Sequence, residues 1–193
     1  MRTQRILIIY GTRYGQTARV AERMRSVLTR EGFDVVVADA GAPAIDVDPQ
    51  RYDGVLVGGS VIRGRHQRSI RTFVIAHRAR LNAMPTAFFS VSASAGSGGP
   101  RGHADAQRVL EEFLTETHWE PDMVATIAGA MAFTKYPLLL RWLLREISRR
   151  NGGPTDTSRD HELTDWKQVT SFAKRFGRRV APALPPTELA PTR

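Results

Sequence analysis

Short runs of bulky apolar residues alternate along the chain with longer stretches in which apolar positions recur every three or four residues. The short runs lack polar alternation, which is typical of strands buried on both faces of a parallel sheet. The longer stretches have the period of amphipathic helices. The pattern predicts strands over Arg5–Tyr10, Phe33–Ala38, Gly54–Gly59, Thr86–Val91 and Met123–Ala130. It predicts helices over Thr17–Arg30, Ile70–Leu81, Ala104–Thr117 and Asp165–Val180, with a flexible loop over Gly96–Gly102.

Strands that alternate with helices indicate an α/β fold with a doubly wound parallel sheet. Five such strands favour the flavodoxin-like order 2-1-3-4-5. We predict one domain over residues 1–181, followed by a disordered, proline-rich tail over residues 182–193. Residues 132–164 interrupt the alternation after the fifth strand. This connection is longer than the fold requires, and we predict that it is a functional, amphipathic helical insertion.

Composition narrows the class of protein. The absence of cysteine excludes disulfides, thiolate metal sites and cysteine nucleophiles, and no metal site is predicted. No apolar run reaches the ~18–20 residues that span a bilayer, and a strand begins where a signal peptide would lie, so we expect a cytoplasmic protein. The net charge of +9 suits an anionic partner, namely a phosphate ligand, a membrane surface or nucleic acid. A solubilising surface explains the charge equally well.

The loop after the first strand has the chemistry of a phosphate site. Its hydroxyls, glycine and backbone N–H groups precede a helix N-terminus, whose dipole favours an anion. The candidate ligands are Thr12, Arg13, Tyr14, Gly15, Gln16 and Thr17. The loop matches neither the dinucleotide fingerprint nor the P-loop. A threonine that caps the helix in an ordinary turn is the alternative interpretation.

Two further loops follow strands at the same predicted edge of the sheet. Each combines a hydroxyl at the strand end with small or apolar neighbours, which suits a flat ring with a polar rim. The first loop contributes Ser60, Val61, Ile62, Arg63 and Gly64, and the second contributes Ser90, Val91, Ser92 and Ala93. Taken singly, Ser60 and Ser92 also fit ordinary loop chemistry.

With these loops the sequence resembles a flavodoxin-like FMN protein, and more narrowly the menaquinone-dependent protoporphyrinogen oxidase family, also called protoporphyrinogen IX dehydrogenase (quinone). The matching segments span residues 5 to about 175. They are Gly15–Thr17, Ser60–Gly64 with His66 and Ser69, Leu81–Phe88, Ser90–Val91, Trp119–Asp122, Ile127–Ala130, Gly152–Thr157 and Thr164–Trp166. Tyr14 departs from the pattern, which has a small or acidic residue there.

The resemblance implies a function for the three loops. It implies oxidation of protoporphyrinogen IX to protoporphyrin IX in haem biosynthesis, with FMN as cofactor and a membrane quinone as electron acceptor. The FMN phosphate would lie on Thr12–Thr17, and the isoalloxazine would lie between Ser60–Gly64 and Ser90–Ala93. The catalytic acid and base are unassigned. For His66 and His103, which lie near these loops, we expect solvated side chains.

The insertion contains a helix-like segment over residues 137–150. At helical spacing its aliphatic residues, Leu139, Leu140, Leu143, Leu144 and Ile147, share one face. Arg141, Arg145 and Arg149 are predicted on the other face, with Trp142 at the boundary. A cationic amphipathic helix of this kind suits peripheral contact with the inner face of the cell membrane. Packing of the leucines on the chain's own domain, or in an oligomer, is the alternative.

Other functions fit parts of the pattern. A flavodoxin-type electron carrier would share the cofactor loops, although such carriers usually have acidic surfaces. A general FMN-dependent quinone oxidoreductase would share both the loops and the insertion. The pI near 10.9 also suits nucleic acid, but no binding motif accompanies the charge, so we expect no nucleic-acid partner.

Overall fold

The computed structural model describes residues 2–42, 47–96, 99–131, 133–135, 137–150 and 154–181. The strands are β1 (Arg5–Gly11), β2 (Asp34–Asp39), β3 (Gly54–Ile62), β4 (Arg65–His66), β5 (Thr86–Ser92), β6 (Met123–Ala128), β7 (Ala130–Met131) and β8 (His161–Glu162). The helices are α1 (Gln16–Arg30), α2 (Arg68–Leu81), α3 (Pro100–Thr117), α4 (Leu138–Arg150) and α5 (Trp166–Val180). The tail predicted to be disordered, 182–193, lies outside the described residues.

The five long strands form a parallel sheet in the order β2-β1-β3-β5-β6. Counted among the long strands alone, this is the predicted order 2-1-3-4-5. The central strand β1 explains why its apolar run has no alternation. Ile6 and Ile8 enter one core and Leu7 and Ile9 enter the other, and all four are fully buried.

Helices cover both faces of the sheet. On one face α1 and α5 pack together, and Met24, Leu28, Phe172 and Phe176 are buried between them and the strands. On the other face α2 and α3 bury a second cluster that includes Phe88 and Trp119. Each large side chain removed from water in these layers contributes about 1.5–3 kcal/mol of transfer free energy. The two layers leave the carboxyl edge of the sheet as the place where the loops meet.

The loop predicted over Gly96–Gly102 is wrong in its second part. Helix α3 begins at Pro100, with Gly99 as its N-cap residue. Proline suits the first helical turn because its fixed φ is helical and its missing N–H has no partner there in any case. The glycine-rich composition concealed this early start.

The fifth long strand ends at Ala128, two residues before its predicted end. Beyond Gly129 the chain forms β7, which pairs with β8 in an antiparallel ladder instead of continuing the sheet. The Leu163 N–H donates to the Gly129 carbonyl at 3.1 Å, and the Thr164 hydroxyl donates to the Ala128 carbonyl at 2.7 Å. The two ends of the insertion are therefore tied together beside the sheet edge.

The predicted insertion helix is present as α4. Leu138, Leu139 and Trp142 are 79%, 80% and 64% exposed. Arg141 is partly exposed and donates to the Thr134 carbonyl at 3.4 Å. This bond joins α4 to the turn that precedes it. The side chains of Leu140, Leu143, Leu144 and Ile147 lie outside the described part of the chain, so the separation of leucines from arginines stays a prediction. No helix among the described residues has both the length and the apolar content needed to cross a bilayer.

Candidate cofactor site at the carboxyl edge of the sheet

Three loops and the segment just before the insertion enclose a narrow cleft at the carboxyl edge of the sheet. The cleft is lined by Thr12, Tyr14, Gln16, Thr17, Ser60, Val61, Ile62, Val91, Ser92, Ala93, Gly129 and Ala130. All but the last two were predicted from the sequence. Gly129 and Ala130 were missed because the sequence pattern placed them inside a strand. A wider surface groove runs along α1 past Glu22 and Trp166, away from this cleft.

Some predicted residues do not line the cleft. Arg13 is exposed on the first loop, and Gly15 belongs to a neighbouring surface hollow. Arg63 and Gly64 lie at the tip of a hairpin, exposed to solvent. Ser90 is fully buried beneath the cleft. The three loops thus meet as predicted, with these five residues around the cleft instead of on its walls.

The N-terminus of α1 is open toward the cleft. Gly15 is its N-cap residue with φ +92°, a conformation that glycine adopts without strain, and it provides no side chain to cap the helix. Thr12 instead accepts a hydrogen bond from the Gly15 N–H at 3.0 Å, which shapes the loop. The interpretation of this loop as an ordinary threonine-capped turn therefore does not hold. The first N–H groups of a helix have no partner within it. Gln16 and Thr17, the first residues of α1, line the cleft.

Two hydroxyls at the cleft have no hydrogen-bond partner among the described residues. Thr17 is fully buried in the first turn of α1, and its Oγ1 is unpaired. The Oγ of Ser60, at the end of the parallel part of β3, is also buried and unpaired. A buried hydroxyl without a partner costs about 1–3 kcal/mol. A ligand with acceptor oxygens at α1 and a polar rim at Ser60 would satisfy both, so the residues present fit a nucleotide-like cofactor.

A hairpin forms one wall of the cleft. Parallel pairing of β3 ends with Gly59 opposite Gly11 and Ser60 opposite Val91. Val61 and Ile62 continue beyond the sheet and pair with β4. The turn between them is Arg63 and Gly64, with φ values of +52° and +75°, as a two-residue hairpin with a right-handed strand twist requires.

His66 fixes this hairpin to the sheet. Its Nε2 lies 2.9 Å from the Ser90 hydroxyl, and its ring lies 5.1 Å from Phe88 and 4.8 Å from Phe113. Burial lowers the pKa of His66 to about 4, so the ring is neutral near pH 7. The expectation of a solvated side chain is wrong for His66, because its neighbours in space come from β5 and α3. His103 is exposed, as expected.

The insertion contacts the first loop directly, which the sequence pattern did not indicate. The Gln16 amide donates to the Thr164 hydroxyl at 2.8 Å and to the Glu162 carboxylate at 3.1 Å. Arg19 pairs with the same carboxylate at 3.1 Å. Tyr14, the departure from the family pattern, packs against Met131 and Phe133 in a small apolar cluster. The first loop and the start of α1 are therefore held in place by contacts with the insertion.

Comparisons with known proteins agree with this architecture. The family model described as flavodoxin domain matches residues 7–158. Protoporphyrinogen IX dehydrogenase (quinone) of Escherichia coli (strain K12) is 35% identical over 172 residues, which cover 88% of this chain and 93% of that protein. The protein of the same name from Leishmania major is 31% identical over 189 residues, covering 96% of this chain and 80% of that protein.

Among solved structures, oxidised flavodoxin 1 from Bacillus cereus superposes with a TM-score of 0.56, covering 92% of this chain and 99% of that chain. At 16% identity this likeness concerns the fold alone. The sequence relatives support family membership as well as the fold, because they match nearly the whole chain, including the insertion. The chain therefore belongs to the flavodoxin family, within the group of relatives named protoporphyrinogen IX dehydrogenase (quinone), and this membership implies a flavin cofactor.

Proposed function

We propose that this protein binds FMN in the cleft and oxidises protoporphyrinogen IX to protoporphyrin IX, a step of haem biosynthesis, with a membrane quinone as electron acceptor. The relatives' names support the substrate and the acceptor. The observation that best supports FMN as the cofactor is the fully buried, unpaired hydroxyl of Thr17 at the open N-terminus of α1. A phosphate monoester at that position completes its hydrogen bonding.

The first loop would hold the phosphate. The positive end of the α1 dipole and its unpaired N–H groups favour a dianion. Thr12 and Thr17 can each donate a hydroxyl hydrogen. Arg13 is exposed and makes no hydrogen bond or ion pair with any described residue, so its charge is available at the rim.

The other two loops would hold the ring. Val61 and Ile62 on the hairpin and Val91 on β5 give the cleft apolar walls, and Ser60 and Ser92 add hydroxyls. A bound flavin supplies the electron and hydride acceptor of the reaction. The chain's part is to orient that group, to exclude water from it and to keep the hairpin in place through His66 and Ser90.

Helix α4 would place the site at a membrane. Leu138, Leu139 and Trp142 are exposed apolar side chains, and Arg145 and Arg149 are exposed on the same helix. This mixture suits the headgroup region of an anionic bilayer, where aliphatic groups insert and arginines contact phosphates. Quinones reside in that bilayer. We therefore propose a cytoplasmic protein bound peripherally to the inner face of the cell membrane.

The reaction is tested with purified protein. We expect a yellow protein with a flavin spectrum, which releases FMN on denaturation. It should produce fluorescent porphyrin from protoporphyrinogen IX, faster with menaquinone or ubiquinone than without a quinone. A protein that fails to take up FMN at micromolar concentration would contradict the proposal. Rapid electron exchange with a reductase, without turnover of quinone, would favour a flavodoxin-type carrier instead.

Membrane contact is tested by the double variant Leu139→Ser/Trp142→Ser. Loss of two large apolar groups, each about 1.5–3 kcal/mol when buried, should lower partition onto anionic vesicles at least tenfold in sedimentation. Ile75→Ser is the matched control, because Ile75 is 50% exposed but lies on α2. Unchanged partition of the double variant, with a smaller particle in size-exclusion chromatography, would show that α4 joins copies of the chain.

A further inference from the structure

The tip of the β3–β4 hairpin carries two arginines that the cofactor site does not use. Arg63 and Arg65 flank Gly64, and both are exposed. Neither side chain makes a hydrogen bond or an ion pair with any residue in the described part of the chain. Neither lines the cleft, whereas Ser60, Val61 and Ile62 at the base of the same hairpin do. Both arginines therefore lie at the exposed tip of the hairpin whose base lines the cleft.

Nearby acidic residues do not neutralise this pair. Arg65 borders a groove with the carboxylates Glu112 and Glu116 on α3. Each of these carboxylates already has a partner: Arg108 contacts Glu112 at 2.6 Å, and Arg71 contacts Glu116 at 2.5 Å. The positive charge at the hairpin tip thus remains available to a ligand.

The backbone at the tip adds a second observation. Arg63 adopts φ +52°, in the left-handed region, where asparagine or glycine is favoured at this turn position. An arginine there is strained, and strain of this kind concentrates at functional sites. Its side chain gives the hairpin a cation that the turn itself does not require.

We propose that Arg63 and Arg65 bind the carboxylates of the tetrapyrrole substrate and so orient it over the cleft. This inference rests on the proposed function, because protoporphyrinogen IX carries two propionate side chains whereas the quinone carries none. Arginine is suited to the task, since its planar donors bind a carboxylate in a bidentate manner. The pair would select a dicarboxylic tetrapyrrole over an uncharged ring of the same shape.

The test compares the free acid of protoporphyrinogen IX with its dimethyl ester, using FMN-loaded protein and menadione. For the wild type, loss of the carboxylates should raise KM about a hundredfold, about tenfold for each charge-assisted contact. The variant Arg63→Gln/Arg65→Gln should raise the KM for the free acid by a similar factor and should no longer distinguish acid from ester. Its KM for menadione and its FMN affinity should stay unchanged.

Two further variants separate recognition from folding. Arg63→Asn should raise the melting temperature, because it relieves the left-handed strain, while it weakens substrate binding. Arg30→Gln/Arg178→Gln is the charge-matched control: both arginines are exposed, and they lie in the last turns of α1 and α5, away from the cleft. The control should keep the wild-type preference for the acid.

Binding of the product protoporphyrin IX, followed by its fluorescence, provides a readout without turnover. Its dissociation constant should rise in the Arg63→Gln/Arg65→Gln variant and stay unchanged in the Arg30→Gln/Arg178→Gln control. If the hairpin variant still prefers the acid as the wild type does, or binds the product equally well, the inference is overturned. If the wild type leaves protoporphyrinogen IX unoxidised, the proposed function fails, and the product titration still decides what the arginines do.

Discussion

At the scale of single residues, the Thr17 hydroxyl is the group on which the proposed cofactor site depends most. It is fully buried and has no partner in the described structure, although a hydroxyl in the first turn of a helix usually faces water or a cap. It lies close to the glycine N-cap and is a hydrogen-bond donor without an acceptor. Under the proposed function, a bound phosphate would recover the free energy that this unpaired hydroxyl costs the unliganded protein.

Replacement of Thr17 by valine tests this role. Valine keeps the shape and removes the donor, so the dissociation constant for FMN should rise about tenfold, the worth of one hydrogen bond to a charged group. The unliganded protein should melt at the same or a higher temperature, because an unsatisfied buried hydroxyl has been removed. Flavin fluorescence titration and thermal unfolding measure the two effects. Thr29→Val, at the exposed end of α1, should change neither.

His66 makes stability depend on pH. Its pKa is about 4 in the folded protein against an ordinary value of 6.5, so the unfolded chain takes up the proton first as pH falls. The stability is therefore fully present above about pH 6.5 and declines until about pH 4, by about 3 kcal/mol in all. The protonated ring would lack a solvated environment against Phe88 and Phe113.

The variant His66→Gln should flatten this part of the pH profile. Glutamine cannot titrate but retains an amide that can reach Ser90, so its unfolding free energy should fall less between pH 6.5 and pH 4 than that of the wild type. Denaturant unfolding at a series of pH values gives the comparison. His103→Gln removes an exposed histidine and should leave the wild-type slope intact. An equal slope in His66→Gln would mean that another group controls it.

At the scale of elements, the insertion supports the first loop from the side. Glu162 on β8 receives the Gln16 amide and pairs with Arg19, both on α1. Lys135 donates to the Tyr14 carbonyl at 3.3 Å. An insertion after the fifth long strand is thereby coupled to a loop after the first strand.

Neutralising Glu162 should weaken the contacts between the insertion and the first turn of α1. Exposed ion pairs are worth about 0–1 kcal/mol, so Glu162→Gln should weaken FMN binding by only about twofold to fivefold. Calorimetric titration with FMN at low salt measures the change. Asp156→Asn is the control, since Asp156 accepts hydrogen bonds from Ser158 within the insertion and makes no hydrogen bond or ion pair with α1. Equal affinities for the wild type and Glu162→Gln would show that the loop holds its shape unaided.

At the scale of the whole molecule, the net charge of +9 should act on membrane binding more than on the cofactor. Raising salt from about 0.1 M to about 1 M shortens the screening length from about 10 Å to about 3 Å. Binding to anionic vesicles should therefore fall severalfold, while a residual part, owed to Leu138, Leu139 and Trp142, remains. Sedimentation with anionic and neutral vesicles measures both parts. Salt-independent binding to anionic vesicles would contradict an electrostatic contribution.

Much of the fold could be predicted because its information is local. The uninterrupted apolar runs of β1, β3 and β5 follow from burial on both faces, and the alternation with helices determines a parallel sheet. The cleft residues of the three loops were also predictable, because the carboxyl ends of parallel strands meet at one edge of the sheet. The start of α3 was misplaced because its glycine-rich segment carries a weak local signal. The end of β6 was misplaced because Ala130 and Met131 pair with β8, a partner far along the chain.

The sequence by itself determined the order of the elements and the loops that form the site, since both depend on residue spacing and strand direction. Only the tertiary structure decided the burial of His66, the unpaired hydroxyls of Thr17 and Ser60, and the contact of Glu162 with α1. Each of these features depends on residues that are far apart in the chain. Their energies depend on which groups lose water and which find a partner, and that is settled only when the layers pack.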